Sequence, residues 1–193
     1  MLLQNLSKYQ ITLVSKSPRR QQLLSELGIS FQIKSLANLE EIYPHHLKNE
    51  AIAEYLSELK AAAYPLQSHH ELIITADTIV CHNGQVLDKP ANLKEARNHL
   101  RHLSGNIHYV YTGVSIRTMH KKITFHSATE VHFSHLEDFE IDYYVNQYKP
   151  LDKAGAYGIQ ELIGFTGVKK INGSFFNVMG LPVQELYQHL KTF

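Results

Sequence analysis

The chain has 193 residues, 44% of them hydrophobic, and includes 8 Phe and 11 Tyr. A chain of this length and apolar content builds one domain, or one domain with two lobes, around a real core. Its 19 basic and 18 acidic residues give a formal net charge of +1, which excludes a global charge bias towards nucleic acid or a membrane surface. Any anionic ligand must therefore be held by a local cluster of side chains.

Cysteine content and hydropathy bear on where in the cell the protein is expected. Cys81 is the single cysteine, which excludes an intrachain disulfide and zinc sites built from several cysteines. Residues 1–5 lack the charged start and the long apolar core of a signal peptide. No stretch approaches the roughly 18 consecutive apolar residues that span a membrane. We therefore expect a soluble, cytoplasmic protein.

The first elements alternate between strand and helix. The apolar run 11–14 predicts a buried strand. A helix then begins with Ser17 as its N-cap and Pro18 at its first position, and Gly28 is placed to end it. The pattern next predicts a strand at 29–33 and a helix at 44–64.

A strand buried on both faces follows. Residues 72–80 form a nearly continuous apolar run, and Asn83-Gly84 after it is a strong hairpin signal. Asn92 and Glu95 predict a capping box at the start of the next helix, which Gly105 ends.

The second half of the chain contains elements of both kinds. In order they are strands at 109–116 and 122–133, a helix from Ser134 and Glu137 to Gln147, a glycine-punctuated stretch at 152–167, two strand candidates separated by the turn Asn172-Gly173, and a last helix that begins at Pro182. No repeat, low-complexity tract or linker divides the chain. We predict a mixed α/β fold in a single domain, residues 1–193.

The turn at residues 15–20, Ser-Lys-Ser-Pro-Arg-Arg, is a candidate phosphate site. A helix N-terminus presents unpaired N–H groups and the positive end of its dipole. Ser15 and Ser17 add hydroxyl donors, and Arg19 and Arg20 add forked donors that suit phosphate oxygens. The alternative is an ordinary Ser-Pro helix cap followed by solvated arginines.

Asp77 is a candidate metal ligand or catalytic group. A carboxylate inside an apolar strand must be paired, bind a metal or act in catalysis, because an isolated buried charge is costly. The alternative is an aspartate that caps a nearby loop. Glu40 and Glu41 lie in a polar break and would join Asp77 on one divalent ion if they are not simply solvated.

Three lysines complete the candidate groups. Lys60 lies near a helix end, Lys89 precedes a proline, and Lys153 precedes the small residues 154–156, which allow a backbone to approach a ligand closely. Each lysine by itself is typical of a solvated surface. The 13 histidines show no metal-ligand spacing, and neither a P-loop nor a Gly-rich dinucleotide motif is present.

Several segments in order along the chain together resemble one known family. They are residues 15–20 with 23–24, 76–80, 89–90, 95–96, 103–105, His108, 112–114, 150–160, 173–178 and 180–182. This set resembles the Maf family of nucleoside triphosphate pyrophosphatases, which is related in fold to the inosine triphosphatases. The resemblance implies a twisted mixed sheet flanked by helices, with two lobes around a central cleft, and a homodimer is common in the family.

The resemblance also implies roles for individual residues. Asp77 corresponds to the catalytic proton acceptor, and Arg19, Thr78 and Gln160 bear on substrate choice. Family positions associated with the phosphates or the metal are occupied by Arg20, Glu41, Lys60 and Lys89. From their chemistry we add Ser15, Ser17 and Lys153 as further substrate contacts. We expect Glu41 and Asp77 to hold the divalent metal, Mg²⁺ or Mn²⁺. The segment after Phe31 is one residue longer than in relatives, which leaves Glu40 as the alternative to Glu41.

The segment 158–160, Gly-Ile-Gln, resembles the branch that acts on dTTP and UTP. A glutamine amide accepts a hydrogen bond from pyrimidine N3–H and donates one to O4, which matches uracil and thymine. Cytosine presents the opposite pattern, which a flipped amide would serve. Two residues depart from the usual pattern: Lys149 stands where relatives have an acidic residue, and Glu161 stands where relatives have a small one.

The predicted activity is hydrolysis of dTTP and UTP between the α- and β-phosphates, which gives a monophosphate and pyrophosphate. Two alternatives stay open. One is the same reaction on 7-methyl-GTP or another modified nucleotide. The other is a non-catalytic nucleotide-binding regulator of septum formation. Nucleic acid and membrane are not expected partners.

Overall fold

The computed structural model describes residues 3–193. Within this part of the chain it contains seven β-strands and seven α-helices. In chain order they are β1 (Gln10–Val14), α1 (Pro18–Glu26), β2 (Gln32–Lys34), α2 (Glu50–Ala63), β3 (Glu71–His82), β4 (Gln85–Leu87), α3 (Leu93–Leu103), β5 (Ile107–Arg117), β6 (Lys122–Phe133), α4 (Asp138–Tyr148), α5 (Leu162–Gly167), β7 (Val168–Asn172), α6 (Phe175–Met179) and α7 (Val183–Lys191).

The strands form one mixed sheet in the order β2-β1-β3-β5-β6-β7, and β4 pairs with β3. β1 is parallel to both β2 and β3, whereas β4 is antiparallel to β3 and β7 is antiparallel to β6. The β3–β4 hairpin turns at Asn83 and Gly84, whose positive φ angles of 50° and 77° suit a two-residue turn. The predicted mixed α/β fold is confirmed.

The chain divides into two compact units. The first comprises the described residues up to Asp77 together with Thr112–Ser127 and Gly180–Phe193, and the second comprises Thr78–Tyr111 and Ala128–Met179. A buried cluster in the first unit joins Val14 and Ile73 of the sheet to Ala61 and Tyr64 at the end of α2. The second unit has a larger apolar cluster, which includes the aromatic side chains of Phe133, Tyr144 and Tyr157.

Local capping follows the sequence closely. The Ser17 hydroxyl accepts a hydrogen bond from the Arg20 N–H at 3.4 Å, and the Asn92 side chain accepts one from the Glu95 N–H at 2.9 Å. The Glu95 carboxylate bonds the Ala91 N–H rather than that of Asn92, so the predicted capping box is displaced by one residue. A complete capping box occurs at Glu137 and begins α4.

Three predicted elements differ from the structure. The strand predicted at 29–33 is formed by Gln32–Lys34. The helix predicted at 44–64 begins only at Glu50, because Asn49 has a φ of 50°, which an α-helix does not accommodate. After the Asn172-Gly173 turn the predicted second strand is instead helix α6.

The reason for α6 is local hydrogen bonding within the second unit. The Ser174 hydroxyl accepts the Asn177 N–H at 3.3 Å. The buried Asn177 side chain then donates to the Val110 carbonyl and the Thr129 hydroxyl at 3.0 and 2.9 Å.

Among the helices of residues 3–193, none is long and apolar enough to cross a membrane.

Candidate active site

The turn between β1 and α1 is organised by its two serines. The Ser15 hydroxyl accepts the Ser17 N–H at 3.1 Å, and the Ser17 hydroxyl in turn accepts the Arg20 N–H. The Gln21 amide donates to the Ser15 carbonyl at 3.3 Å. A hydroxyl that accepts a backbone N–H keeps its own hydrogen as a donor. The turn therefore presents Ser15 and Ser17 in a defined geometry at the N-terminus of a helix.

Arg20 is a structural link rather than a solvated side chain. Its Nε donates to the Gly180 carbonyl at 2.7 Å, and its Nη1 donates to the Ala76 carbonyl at 2.8 Å. Burial lowers the pKa of Arg20, and the negative charge of Asp77 opposes this effect. Arg20 thus ties the start of α1 to the residue that precedes Asp77. Arg19, its neighbour in the first turn of α1, is partly buried.

Lys60 joins the two acidic candidates of the first unit. Its ammonium lies 2.5 Å from Asp77 Oδ1 and 2.9 Å from Glu41 Oε2. The Lys60 and Asp77 side chains are only 12% and 9% exposed, whereas that of Glu41 is 41% exposed. The buried Asp77 carboxylate is therefore charge-compensated, as a carboxylate in an apolar strand requires. Asp77 makes this ion pair, so the alternative that it only caps a loop is wrong.

The donor set around Lys60 suits a divalent cation. Glu41 and Asp77 converge on a single nitrogen, so a cation already occupies the space between their oxygens. Mg²⁺ is commonly held by one or two carboxylates, with waters and substrate phosphates as its other ligands. Residues 3–193 contain no group of three or more His, Cys, Asp or Glu side chains that would hold a metal by themselves. The two carboxylates fit an ion that completes its shell with substrate.

The remaining candidates belong to the second unit. Thr78 follows Asp77 in β3 and is partly exposed, and Lys89 is exposed after β4. The carbonyl oxygen of the Gln160 side chain is buried without a hydrogen-bond partner. The Lys153 ammonium lies 2.8 Å from Asp152 Oδ1 and 3.1 Å from Glu161 Oε1. Lys153 is therefore an ion-paired, buried lysine and not a surface one.

Tyr144 has a polar role that the sequence did not indicate. It lies on the buried face of α4, where its spacing is that of an ordinary core residue. Its hydroxyl accepts the Gly158 N–H at 3.0 Å and donates to Glu161 Oε2. Of Tyr144 and its partners in this contact, only Glu161 was singled out by the sequence, as a departure from the pattern of the family that the chain resembles.

The fold is mixed α/β, and its first unit gathers serine hydroxyls, an arginine, a lysine and two carboxylates beside a strand-to-helix turn. Such a set is typical of proteins that handle phosphate groups. Residues 10–193 match the family model described as Maf-like protein, and the chain belongs to this family.

Curated relatives cover nearly the whole chain. A dTTP/UTP pyrophosphatase of Phocaeicola vulgatus is 56% identical over 98% of this chain and 99% of its own length. Proteins of the same name from Parabacteroides distasonis and Porphyromonas gingivalis are 51% and 48% identical. Both alignments cover 100% of this chain. They cover 100% of the Parabacteroides distasonis protein and 98% of the Porphyromonas gingivalis protein.

Proposed function

We propose that the chain is a nucleoside triphosphate pyrophosphatase that hydrolyses dTTP and UTP to the monophosphate and pyrophosphate. The observation that carries this proposal is the convergence of Asp77, Glu41 and Lys60 beside the turn at residues 15–20. The names of relatives at 48–56% identity support both the reaction, hydrolysis of an acid anhydride, and the substrate pair.

Asp77 acts as the proton acceptor. An ionised carboxylate accepts a hydrogen bond from water and then takes its proton. The water oxygen forms a bond to the α-phosphorus while the bond from that phosphorus to the bridging oxygen breaks, and pyrophosphate leaves. No side-chain nucleophile is required. Glu41 and Asp77 would hold Mg²⁺ or Mn²⁺, which would offset the charge on the phosphate oxygens.

Cationic and hydroxyl groups bind the triphosphate. Ser15 and Ser17 donate from the turn, and the side chains of Arg19 and Arg20 add positive charge at the same helix N-terminus. Lys60, which now neutralises two carboxylates, would turn to the phosphates once a divalent ion takes its place between them. Lys89 and Lys153 are the further phosphate contacts in this proposal.

Arg19, Thr78 and Gln160 select the substrate. The buried Gln160 carbonyl oxygen without a partner supports this role, because an unpaired buried acceptor is costly and a pyrimidine N3–H would satisfy it. The amide nitrogen would donate to O4 of the same base. Uracil and thymine present both groups, whereas cytosine presents the opposite pattern.

The experiment that tests the proposal is pyrophosphate release from dTTP, UTP, CTP, GTP and 7-methyl-GTP, with Mg²⁺ and with Mn²⁺. We expect turnover of dTTP and UTP to exceed that of the others by about tenfold or more. A preference for 7-methyl-GTP would assign the chain to the modified-purine alternative. Nucleotide binding without any turnover would favour the non-catalytic regulator.

The family resemblance extends the proposal to the whole protein. We propose that residues 1–193 act as one domain, that the active form is a homodimer and that it works in the cytoplasm without nucleic acid or membrane as a partner. Light scattering coupled to gel filtration measures the oligomeric state, and a monomer at assay concentration would contradict the dimer.

A further inference from the structure

Gln160 lies in a tight turn whose two ends are close together. The Glu161 N–H donates to the Gly158 carbonyl at 3.0 Å, which closes a four-residue turn with Gln160 in its third position. Glu161 is also the N-cap position of α5. Gln160 is thus presented by a turn joined directly to a helix.

One phenol hydroxyl holds both ends of this turn. Tyr144 Oη accepts the Gly158 N–H at 3.0 Å and donates to the Glu161 carboxylate. The Tyr144 side chain is fully buried, and burial together with the Glu161 charge raises its pKa, so the hydroxyl keeps its proton. Tyr144 therefore acts as a fixed bridge between the residues that flank Ile159 and Gln160.

The second oxygen of Glu161 has its own partner. Glu161 Oε1 lies 3.1 Å from the Lys153 ammonium, and these side chains are only 18% and 9% exposed. Asp152 Oδ1 lies 2.8 Å from the same ammonium. Because a partly buried carboxylate needs charge compensation, the ion pair with Lys153 stabilises the glutamate at position 161.

Close packing removes the remaining freedom of the turn. A Cβ atom on Gly158 would lie 2.8 Å from the Glu161 Cδ, so the glutamate side chain covers the Gly158 backbone. A Cβ atom on Gly164 would lie 1.8 Å from the Ile159 carbonyl oxygen, so α5 packs directly against the turn. The backbone that carries Gln160 is confined on both sides.

We propose that Tyr144 and Glu161, with Lys153 as counter-ion, are positioning residues that hold Gln160 in the geometry that distinguishes uracil from cytosine. This inference rests on the proposed function, because it assumes a pyrimidine nucleotide as the ligand of Gln160. Tyr144 and Glu161 act through the turn and do not touch the substrate.

The test compares variants of the bridge in the full-length protein. Tyr144→Phe removes the hydroxyl, Glu161→Ala removes the carboxylate, and Glu161→Gln keeps an acceptor for the hydroxyl. Tyr148→Phe is the matched control, since Tyr148 stacks on Tyr144 one turn further along α4 and is exposed. The readouts are the affinities for non-hydrolysable UTP and CTP analogues by calorimetry, and kcat and KM for UTP and CTP.

We expect Tyr144→Phe and Glu161→Ala to reduce the ratio of UTP to CTP affinity by about tenfold, the effect of roughly one misplaced hydrogen bond. The change should appear in KM for UTP, with kcat within about threefold of wild type, because the proposed proton acceptor Asp77 and its ion pair with Lys60 belong to the first unit and are not altered by either substitution. Glu161→Gln should retain most of the selectivity, and Tyr148→Phe all of it. Amide exchange at Gly158 should become faster in Tyr144→Phe.

Two results would overturn the inference. One is an unchanged UTP to CTP ratio in a folded Tyr144→Phe or Glu161→Ala protein, and the other is equal affinity of wild type for both analogues. Absence of turnover in a protein that still prefers the UTP analogue would instead reject the proposed function alone. Glu161→Ala keeps the test valid if Tyr144→Phe does not fold, since position 161 is partly exposed.

Discussion

At the scale of single residues, Lys60 explains how Asp77 is tolerated in β3. The strand is buried on both faces. Removing the partner of a buried charge lowers the free energy of unfolding by about 3–5 kcal/mol. The same arrangement keeps Asp77 and Glu41 side by side before any ligand arrives. Stability and the proposed chemistry therefore depend on the same three side chains.

Asp77→Asn tests the proposed proton acceptor. We expect turnover to fall by about 10²–10⁴-fold, because an amide does not accept the proton of water. Circular dichroism should show an unchanged fold, since asparagine has the same shape and Lys60 retains Glu41. Asp138→Asn, at an exposed carboxylate paired with Arg101, is the control and should behave as wild type. Near-normal activity of Asp77→Asn would refute the assignment.

Glu41→Gln and Glu40→Gln separate the two candidate metal ligands. Only Glu41 is ion-paired with Lys60, and Glu40 is exposed. We expect Glu41→Gln to raise the Mg²⁺ concentration for half-maximal activity by about tenfold or more, the usual range for groups that support a metal. Glu40→Gln should leave the Mg²⁺ titration unchanged. The reverse result would move the ligand to Glu40.

At the scale of elements, the close approach of α2 to β5 positions Lys60. A Cβ atom on Gly113 of β5 would lie 2.2 Å from the Ala53 carbonyl oxygen of α2. Only glycine permits this distance, and Gly113 and α2 both belong to the first unit. The Thr75 hydroxyl, two residues before Asp77, donates to the Ser57 carbonyl at 2.7 Å and fixes α2 on the neighbouring strand.

Gly113→Ala should therefore be among the most damaging glycine substitutions. We expect it to lower the free energy of unfolding by about 3 kcal/mol through steric overpacking against backbone atoms. Gly28→Ala is the comparison, because Gly28 has a φ of 67° but open space around it, and should cost only about 1–2 kcal/mol. Urea unfolding of both proteins measures the difference, and equal costs would show that the helix moves freely.

At the scale of the whole molecule, a buried histidine couples stability to pH. His108 is fully buried, and its Nε2 lies 2.7 Å from the Tyr157 hydroxyl. Burial lowers the pKa of His108 from 6.5 to about 3. The unfolded chain therefore binds this proton more tightly than the folded protein. Neutral His108 therefore contributes its full stabilisation above about pH 6.5, and this stabilisation is lost as the pH falls towards about 3.

The prediction concerns the slope of stability against pH. His108 should contribute about 1.4 kcal/mol per pH unit between about pH 5.5 and 4, with stability falling as acid is added. His108→Gln, which does not titrate, should reduce the slope by that amount in urea unfolding. His135→Gln, at an exposed histidine, should leave the slope close to that of wild type. An identical slope in His108→Gln would show that His108 is protonated in the folded state.

Much of the fold was predictable because its signals are local. The cap at Ser17, the hairpin at Asn83-Gly84 and the buried run of β3 each depend on a few neighbouring residues. Two of the predicted elements that differ from the structure also have local causes. Asn49 adopts a positive φ that delays α2, and Ser174 caps α6 where a strand was predicted after the Asn172-Gly173 turn.

The candidate site was predictable as a set of residues but not as a geometry. The motifs along the chain indicated family membership, which the family match confirms. They did not indicate that Lys60 neutralises Asp77, which lies 17 residues away, or that Arg20 bonds carbonyls 56 and 160 residues away. Such contacts depend on how strands and helices pack, and sequence spacing carries no information about them.

The sequence by itself determined the mixed α/β class, the positions of most strands and helices, and the Maf family. These follow from hydrophobic periodicity, capping and ordered motifs, each of which acts over a short stretch of chain. Only the tertiary structure decided that Glu41, rather than Glu40, meets Lys60, and that Tyr144 bridges Gly158 and Glu161. A buried polar group takes whichever partner the packing brings within hydrogen-bond distance, and packing is a property of the whole chain.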